Sequence, residues 1–463
     1  MAVRWSVIRK SLAIGCAVLM ATVSAILPTA AEAQRRGASL VRDAEIENTI
    51  RVYAAPLFAA AGLSNDAISV HLVNDRTLNA FVAGGQRIFV NTGLLMRSER
   101  PAQVIGVLAH EIAHIAGGHL ARMGDAIDNA STFMILSMLF GAAAAVAGSG
   151  DAAAAAVLGG QQVAERSFLA FTRAQESAAD QAGATYLEQS GQSISGLIEF
   201  LRIIGNQDLL AAPRQDPYAR THPMTPERVA ALESRLSRSL SRNAKDTPDN
   251  IDRFKRMQAK LVGYLEGLAA TLRKYPETDT SLYGRYARAF AYYRALDFPR
   301  ALRETDGLIQ QYPNDPYFHE LKADILLNMG RVAESLPPIN EAYRLAPNEP
   351  LIAFGVGQRL VAMEDDSRLD EAIDILKTVT LREPDNSAAW QQLATAYGRK
   401  GDIGMASLAS AERYLVIGAL RDAQGQAERA AHIMKEGSPG WLRAQDIITF
   451  AKDERRKQQQ QRR

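Results

Sequence analysis

The chain has 463 residues, of which 22% are charged and 47% hydrophobic, and its formal net charge is +2. That length exceeds one ordinary domain, so two or three are expected, and the composition excludes wholesale disorder. The near-neutral charge, with no basic stripe interleaved by aromatics, argues against nucleic acid as a partner.

Arg4, Arg9 and Lys10 precede an uncharged apolar run from Leu12 to Leu27, and Ala31-Glu32-Ala33 places small residues around a cleavage point. This layout predicts a secretory signal peptide over 1–33. An uncleaved anchor is the alternative, although the run is short for a membrane span. Cys16 is the only cysteine and would leave with the signal, so any metal site must use His and carboxylates.

Residues 39–63 read as a helix, with Leu40, Ile46, Ile50, Leu57 and Leu63 on its apolar face. Three strand-like runs follow, Ile68–Val73, Asn79–Ala83 and Arg87–Asn91, and Gly84-Gly85 suits a tight turn between the last two. Pro101 opens a helix that runs from Ala102 to Met123. Phe133–Ala147, a Gly148-Ser149-Gly150 turn and Ala152–Leu158 read as a buried helical hairpin. The alternative for 133–158 is a flap that touches lipid or an unfolded substrate. Helices are predicted again at Gln161–Leu187 and Ile194–Ile204, and four prolines make 205–227 a loop. Ser239–Asn250 is a polar linker.

The second half repeats. Pro313-Asn314-Asp315-Pro316, Pro347-Asn348-Glu349-Pro350 and Pro384-Asp385-Asn386 recur between helical pairs at spacings of 34 and 37 residues. The three extra residues fit the loop 364–368. Trp390, Leu393, Ala394, Tyr397, Gly401 and Ala406 match tetratricopeptide spacing. One helical hairpin cannot bury its apolar face alone, and stacking supplies a continuous core. Three repeats are legible, with one more near Pro276.

The chemistry centres on His110-Glu111-Ile112-Ala113-His114. Residues four apart share a helix face, so His110 and His114 can present two imidazoles to one zinc ion. Glu111 sits one step round, placed to act as general base towards a metal-coordinated water. The flanking Val104, Ile105, Val107 and Leu108 make the helix a core element. A hydrolytic zinc site needs a third protein ligand and an open position. On a continuous helix His119 would point away from the His110–His114 face, which makes it a supporting or structural residue. Glu176 is the better candidate, with Asp180 four residues on to accept a hydrogen bond from a ligand imidazole. Spacing alone leaves open a solvated acidic face paired with Arg173. His71, His319 and His432 have no partner pattern.

The pairing of His110-Glu111-x-x-His114 with Glu176-x-x-Ala179-Asp180 resembles the gluzincin peptidases related to the CAAX prenyl protease and the HtpX heat-shock protease. So do Asn79-Ala80-Phe81 through Gly84-Gly85, Ile88 through Leu94, and Thr221-His222-Pro223 followed by Arg228. The resemblance covers about residues 45–235. It implies a zincin-type α+β metallopeptidase domain with a small sheet, holding one Zn2+ per chain on His110, His114 and Glu176. With the repeats appended, the architecture is similar to a periplasmic branch of that family. The chain is then mainly α, with a signal peptide at 1–33, a peptidase domain at 34–240 and a linker with leading helices at 241–280. An α-solenoid follows at 281–452, then a disordered tail at 453–463.

That branch implies an exported, periplasmic endopeptidase acting on unfolded or misfolded polypeptides, with the repeats docking outer-membrane assembly machinery and 133–158 available for peripheral membrane contact. The resemblance also implies that Arg87–Asn91 is a cleft-side edge strand, making Ile88, Val90 and Asn91 substrate-binding residues; an internal strand is the alternative. His222 could be a removable fourth ligand, an oxyanion stabiliser, or a solvated loop residue. The rival function is a repeat-based scaffold or chaperone whose zinc site is latent.

Overall fold

The computed structural model describes residues 40–64, 69–83, 87–119, 121–122, 131, 137–139, 150–205, 218, 222–223, 225–363 and 365–461. The segment read as a signal peptide, most of the Phe133–Ala147 arm and most of the 205–227 loop lie outside them. Among the described residues no helix is long and apolar enough to cross a membrane. The chain divides into two compact units, one holding Thr49–Ile251 with the residues up to Val41, the other holding Arg42–Asn48 and Asp252–Arg463.

The first unit contains a four-stranded sheet made of β1 (Leu40–Val41), β2 (Ser69–Val73), β3 (Ala80–Ala83) and β4 (Arg87–Asn91), in the order β1-β2-β4-β3. β1 and β2 are antiparallel, β2 and β4 parallel, and β3 and β4 antiparallel, with Phe81 opposite Phe89. α1 (Ala44–Ala60) crosses the unit division, and α2 (Thr92–Arg97) follows β4 directly. α3 (Pro101–Ala116) has Pro at its first position, where a missing N–H is harmless. Val104, Val107, Leu108 and Ile112 are fully buried. α3 packs on β3 and against α4 (Gly150–Gln189) and α5 (Ser195–Gly205), with α6 (Pro226–Arg238) behind.

Close approach makes this packing possible. A Cβ on Gly183 of α4 would lie 3.1 Å from the backbone of Ala109, so α4 runs hard against α3 one residue before His110. The predicted second arm of the hairpin and the Gln161–Leu187 helix are one 40-residue helix, α4.

The second unit is an α-solenoid. Arg42–Asn48, α7 (Pro248–Leu265) and α8 (Leu268–Lys274) are followed by five antiparallel pairs. These are α9 (Leu282–Arg294) with α10 (Phe298–Gln311), α11 (Pro316–Asn328) with α12 (Val332–Leu345), α13 (Pro350–Ala362) with α14 (Leu369–Arg382), α15 (Ser387–Arg399) with α16 (Ile403–Val416), and α17 (Leu420–Ile433) with α18 (Pro439–Gln461). The starts of α11, α13 and α15 reproduce the 34- and 37-residue spacing, and a short 3-10 turn at Asp366–Arg368 takes up the insertion. Asp315 and Asn386 cap their helices by accepting from Tyr317 N and Ala389 N. The pairs from α11 to α16 share one core that includes Ile339, Val356, Leu376 and Leu393, and separate clusters lie at either end. The tail, expected to be disordered over 453–463, is helical through Gln461. Ala444, Ile447, Ile448 and Ala451 anchor α18 in the core, and Arg455 donates to Gln424, so the helix propagates beyond its buried face.

Candidate metal centre

α3 and α4 carry the centre. His110 is fully buried and its Nδ1 lies 3.0 Å from Asp180 Oδ1. A proton on Nδ1 satisfies that carboxylate and leaves the Nε2 lone pair facing inward. His114 Nε2 sits 3.0 Å from His110 Nε2. Glu176 reaches both rings, 3.3 Å from His110 Nε2 and 3.4 Å from His114 Nε2. His222 Nδ1 completes the group, 3.4 Å from His110 Nε2 and 3.0 Å from Glu176 Oε2.

These four ligand atoms lie within 4.8 Å of one another. A tetrahedral metal with bonds near 2.05 Å has ligand–ligand edges of about 3.3 Å, close to the spacings printed above. Two imidazole nitrogens and a carboxylate converge on one point, the nitrogen and oxygen donors that a divalent metal takes. The donor set therefore fits a divalent metal ion.

Burial and charge set the protonation that a metal would meet. Burial alone would lower the His110 imidazole, but Asp180 and Glu176 override it and hold it up at about 10, so a metal ion would take the place of its Nε2 proton. Burial pushes His114 down to about 3 against the pull of Glu176. Burial would raise Glu176, yet His222, His110 and His114 hold it well below the usual carboxylate range, ready to ligate. Glu111 is raised, chiefly by burial; its Oε1 has no hydrogen-bond partner among the described residues and lies 3.6 Å from His222 Nε2.

The acids that spacing left ambiguous are both buried, Glu176 at 3% and Asp180 at 1% exposure, while Arg173 is exposed. The solvated-face alternative therefore fails. Arg228, noted in the sequence without a role, donates from Nε to Asp180 Oδ2 at 2.6 Å and lies 3.1 Å from Glu176. Tyr218 stacks on His222 with ring centroids 4.3 Å apart, a contact that no local pattern announces.

Two expectations are corrected. β4 is not an edge strand: it is hydrogen-bonded to β2 on one side and β3 on the other, so it has no free backbone to offer. Ile88 and Val90 are fully buried, and Asn91 is buried with its amide donated to Thr77. Among the described residues the unpaired sheet edge beside α3 belongs to β3. His119 does not point away. α3 ends at Ala116, and Gly118 takes φ +62, which swings His119 back until its Nδ1 is 2.9 Å from Nδ1 of His114.

Residues 41–236 match the model described as Peptidase family M48. The chain is 24% identical to the beta-barrel assembly-enhancing protease of Yersinia pestis, over 87% of this chain and 83% of that one. It is 25% identical to the protein of that name from Escherichia coli, over 87% and 82%. It is also 28% identical to the mitochondrial metalloendopeptidase OMA1 of Schizosaccharomyces pombe, over 39% of this chain and 50% of that one. Among solved structures, the tetratricopeptide protein YrrB aligns with 42% of this chain and 97% of its own, at 17% identity and a TM-score of 0.32. Residues 41–236 are thus similar to Peptidase family M48, and the chain is a metalloprotease.

Proposed function

We propose that this chain is a zinc-dependent endopeptidase of the periplasm that cuts misfolded or stalled exported proteins and serves outer-membrane protein assembly. The observation that carries the reading is the convergence of His110 Nε2, His114 Nε2 and the Glu176 carboxylate, with Glu111 alongside. The names of the curated relatives support the assembly role, and the apolar run before residue 34 supports export.

His110, His114 and Glu176 would hold the zinc, which supplies Lewis acidity that polarises a carbonyl and lowers the pKa of water. Glu111 takes the proton of the attacking water and passes it to the leaving amine. Its buried position and raised proton affinity keep it basic enough for the first step and acidic enough for the second. Asp180 fixes the His110 ring, and Arg228 holds Asp180 and Glu176 in place. An extended substrate would pair with the free edge of β3, which selects conformation rather than sequence. His222 would be a removable fourth ligand, since substrate needs the corner that its Nδ1 now occupies.

That closed arrangement is also the one observation favouring the rival, a repeat-based scaffold with a latent site. Glu111→Gln keeps every ligand and removes the base, so cleavage of casein should fall by about 10²–10⁴ with metal retained. Cleavage that is equal in this variant would falsify the enzymatic reading. His222→Ala separates the rivals further: a change in rate marks a role at the centre, and an unchanged rate at equal stability removes it.

A further inference from the structure

The repeat unit contains a cavity of about 230 Å³, well away in sequence from the metal centre. Its walls come from the first helices of three successive pairs: Phe290 on α9, Tyr317 and Glu320 on α11, and Phe354 and Arg359 on α13. Lys260 of α7 and the segment from Arg42 to Ala44 close it. All of these residues belong to the same compact unit.

One lining carboxylate is left without a partner. Arg42 is held by Glu47 at 2.8 Å and Glu383 at 2.7 Å. Lys260 is held by Asp43 at 2.8 Å and Glu45 at 3.5 Å, and Arg359 by Asp324 at 2.7 Å. Arg256, outside the lining, is held by Glu45 and Asp315. Glu320 has no hydrogen bond and no ion pair among the described residues. Of the three carboxylates that line the cavity, Asp43 and Asp324 are paired with the lining cations Lys260 and Arg359, the third cation, Arg42, is taken by Glu47 and Glu383 outside the lining, and Glu320 alone is unpaired. Burial raises the Glu320 carboxyl well above its usual range; Lys260 opposes this, while Asp324, Asp43 and Glu45 add to it.

A second observation is independent of the acids. Arg359 is fully buried, gives Nη1 to Gly355 O and Nη2 to Asp324, and has no partner for Nε among the described residues. A buried N–H without an acceptor is costly unless a ligand supplies one. The cavity thus asks for a cation and a hydrogen-bond acceptor from one molecule, with apolar surface between them.

We propose that this cavity receives one lysine or arginine side chain of an extended polypeptide. The side-chain cation meets Glu320, the aliphatic stem lies against Phe290, Tyr317 and Phe354, and a carbonyl of the same segment accepts from Arg359 Nε. The volume suits a single long side chain rather than a folded element. The partner recognised by the repeats is therefore a basic segment, whatever the peptidase centre cuts.

The test uses the full chain carrying Glu111→Gln, so that no probe is hydrolysed. Its ligands are three fluorescent, end-capped extended peptides that differ at one position, lysine, norleucine or glutamate, titrated by anisotropy. The lysine peptide should bind at least about tenfold more tightly than the norleucine peptide, and high salt should erase the difference. Glu320→Gln should bring lysine binding down to the norleucine level without lowering the unfolding midpoint, because Glu320 makes no ion pair or hydrogen bond among the described residues. Glu320→Lys should transfer the preference to the glutamate peptide. Equal binding of the lysine and norleucine peptides, no binding of the lysine peptide, tightest binding of the glutamate peptide to the Glu320 chain, or lysine binding indifferent to Glu320→Gln each overturns the proposal. The peptide comparison stands even if a Glu320 variant misfolds, and none of these results bears on the Glu111 test of hydrolysis.

Discussion

Asp180→Asn changes one oxygen to nitrogen and tests how the centre is held. In the native chain Asp180 accepts from His110 Nδ1 at 3.0 Å and from Arg228 Nε at 2.6 Å and Nη2 at 2.9 Å. The amide keeps the shape, but it removes the charge that fixes the His110 tautomer and offers an N–H where an acceptor is needed. Loss of such an orienting partner lowers metal affinity by about 10–100-fold, or about 1.4–2.7 kcal/mol. Arg228 would keep Pro223 O and Glu176, so the metal-free fold should lose about 2–4 kcal/mol, somewhat less than a fully broken buried pair. Burial would raise the Asp180 carboxyl, but His110 and Arg228 lower it below its ordinary value. Its stabilisation is therefore present above the unfolded pKa and lost as pH falls through the folded one. The assay is chelator competition for metal affinity, paired with denaturant unfolding of the metal-free protein at neutral and acid pH. The two stabilities should differ at pH 7 and converge below about pH 3. Affinity within twofold of the unsubstituted chain, with the fold intact, refutes the argument.

Three further outcomes follow from the same physics. His119→Ala frees the far side of the His114 ring and should weaken metal binding by about tenfold, with His119→Asp restoring part of it because an acceptor returns; equal affinity in all three proteins removes His119 from the centre. Leu296 takes φ +61 where the corresponding turns of later repeats carry Gly330 and Gly401, so Leu296→Gly should stabilise by up to about 1 kcal/mol in denaturant unfolding, and a clear loss contradicts the strain. Glu45 is buried against Arg256, Lys260 and the Tyr286 hydroxyl; burial would raise its carboxyl, but Arg256 and Lys260 lower it. Glu45→Gln should cost about 3–5 kcal/mol at neutral pH and progressively less as pH falls through the carboxylate range; a difference independent of pH defeats the linkage.

The legible parts of the molecule were those written in local periodicity. His110, Glu111 and His114 follow from one helical turn, as do Glu176 and Asp180, and the repeats announce themselves through proline-bounded turns at a fixed spacing. What the sequence hides is non-local or depends on a single backbone torsion. Strand order is non-local: β4 lies between β2 and β3 because its parallel pairing with β2 leaves β3 outside, and nothing in Arg87–Asn91 encodes that. Arg228 is 48 residues from Asp180 and Tyr218 is 108 from His110, so neither contact has a periodic signature. His119 has the supporting place its spacing suggests, but its direction depends on the Gly117-Gly118 break, which a continuous helix does not reproduce. The tail was misjudged on composition alone, although Ile447, Ile448 and Ala451 already carried a buried stripe into it.

Metal content decides the rest. The purified chain should carry one zinc per molecule, and Glu176→Ala should lose stoichiometric zinc while its repeat unit stays folded. Full zinc retention in Glu176→Ala, or no zinc in the unsubstituted chain, contradicts a centre built from one helical turn and a distant acid.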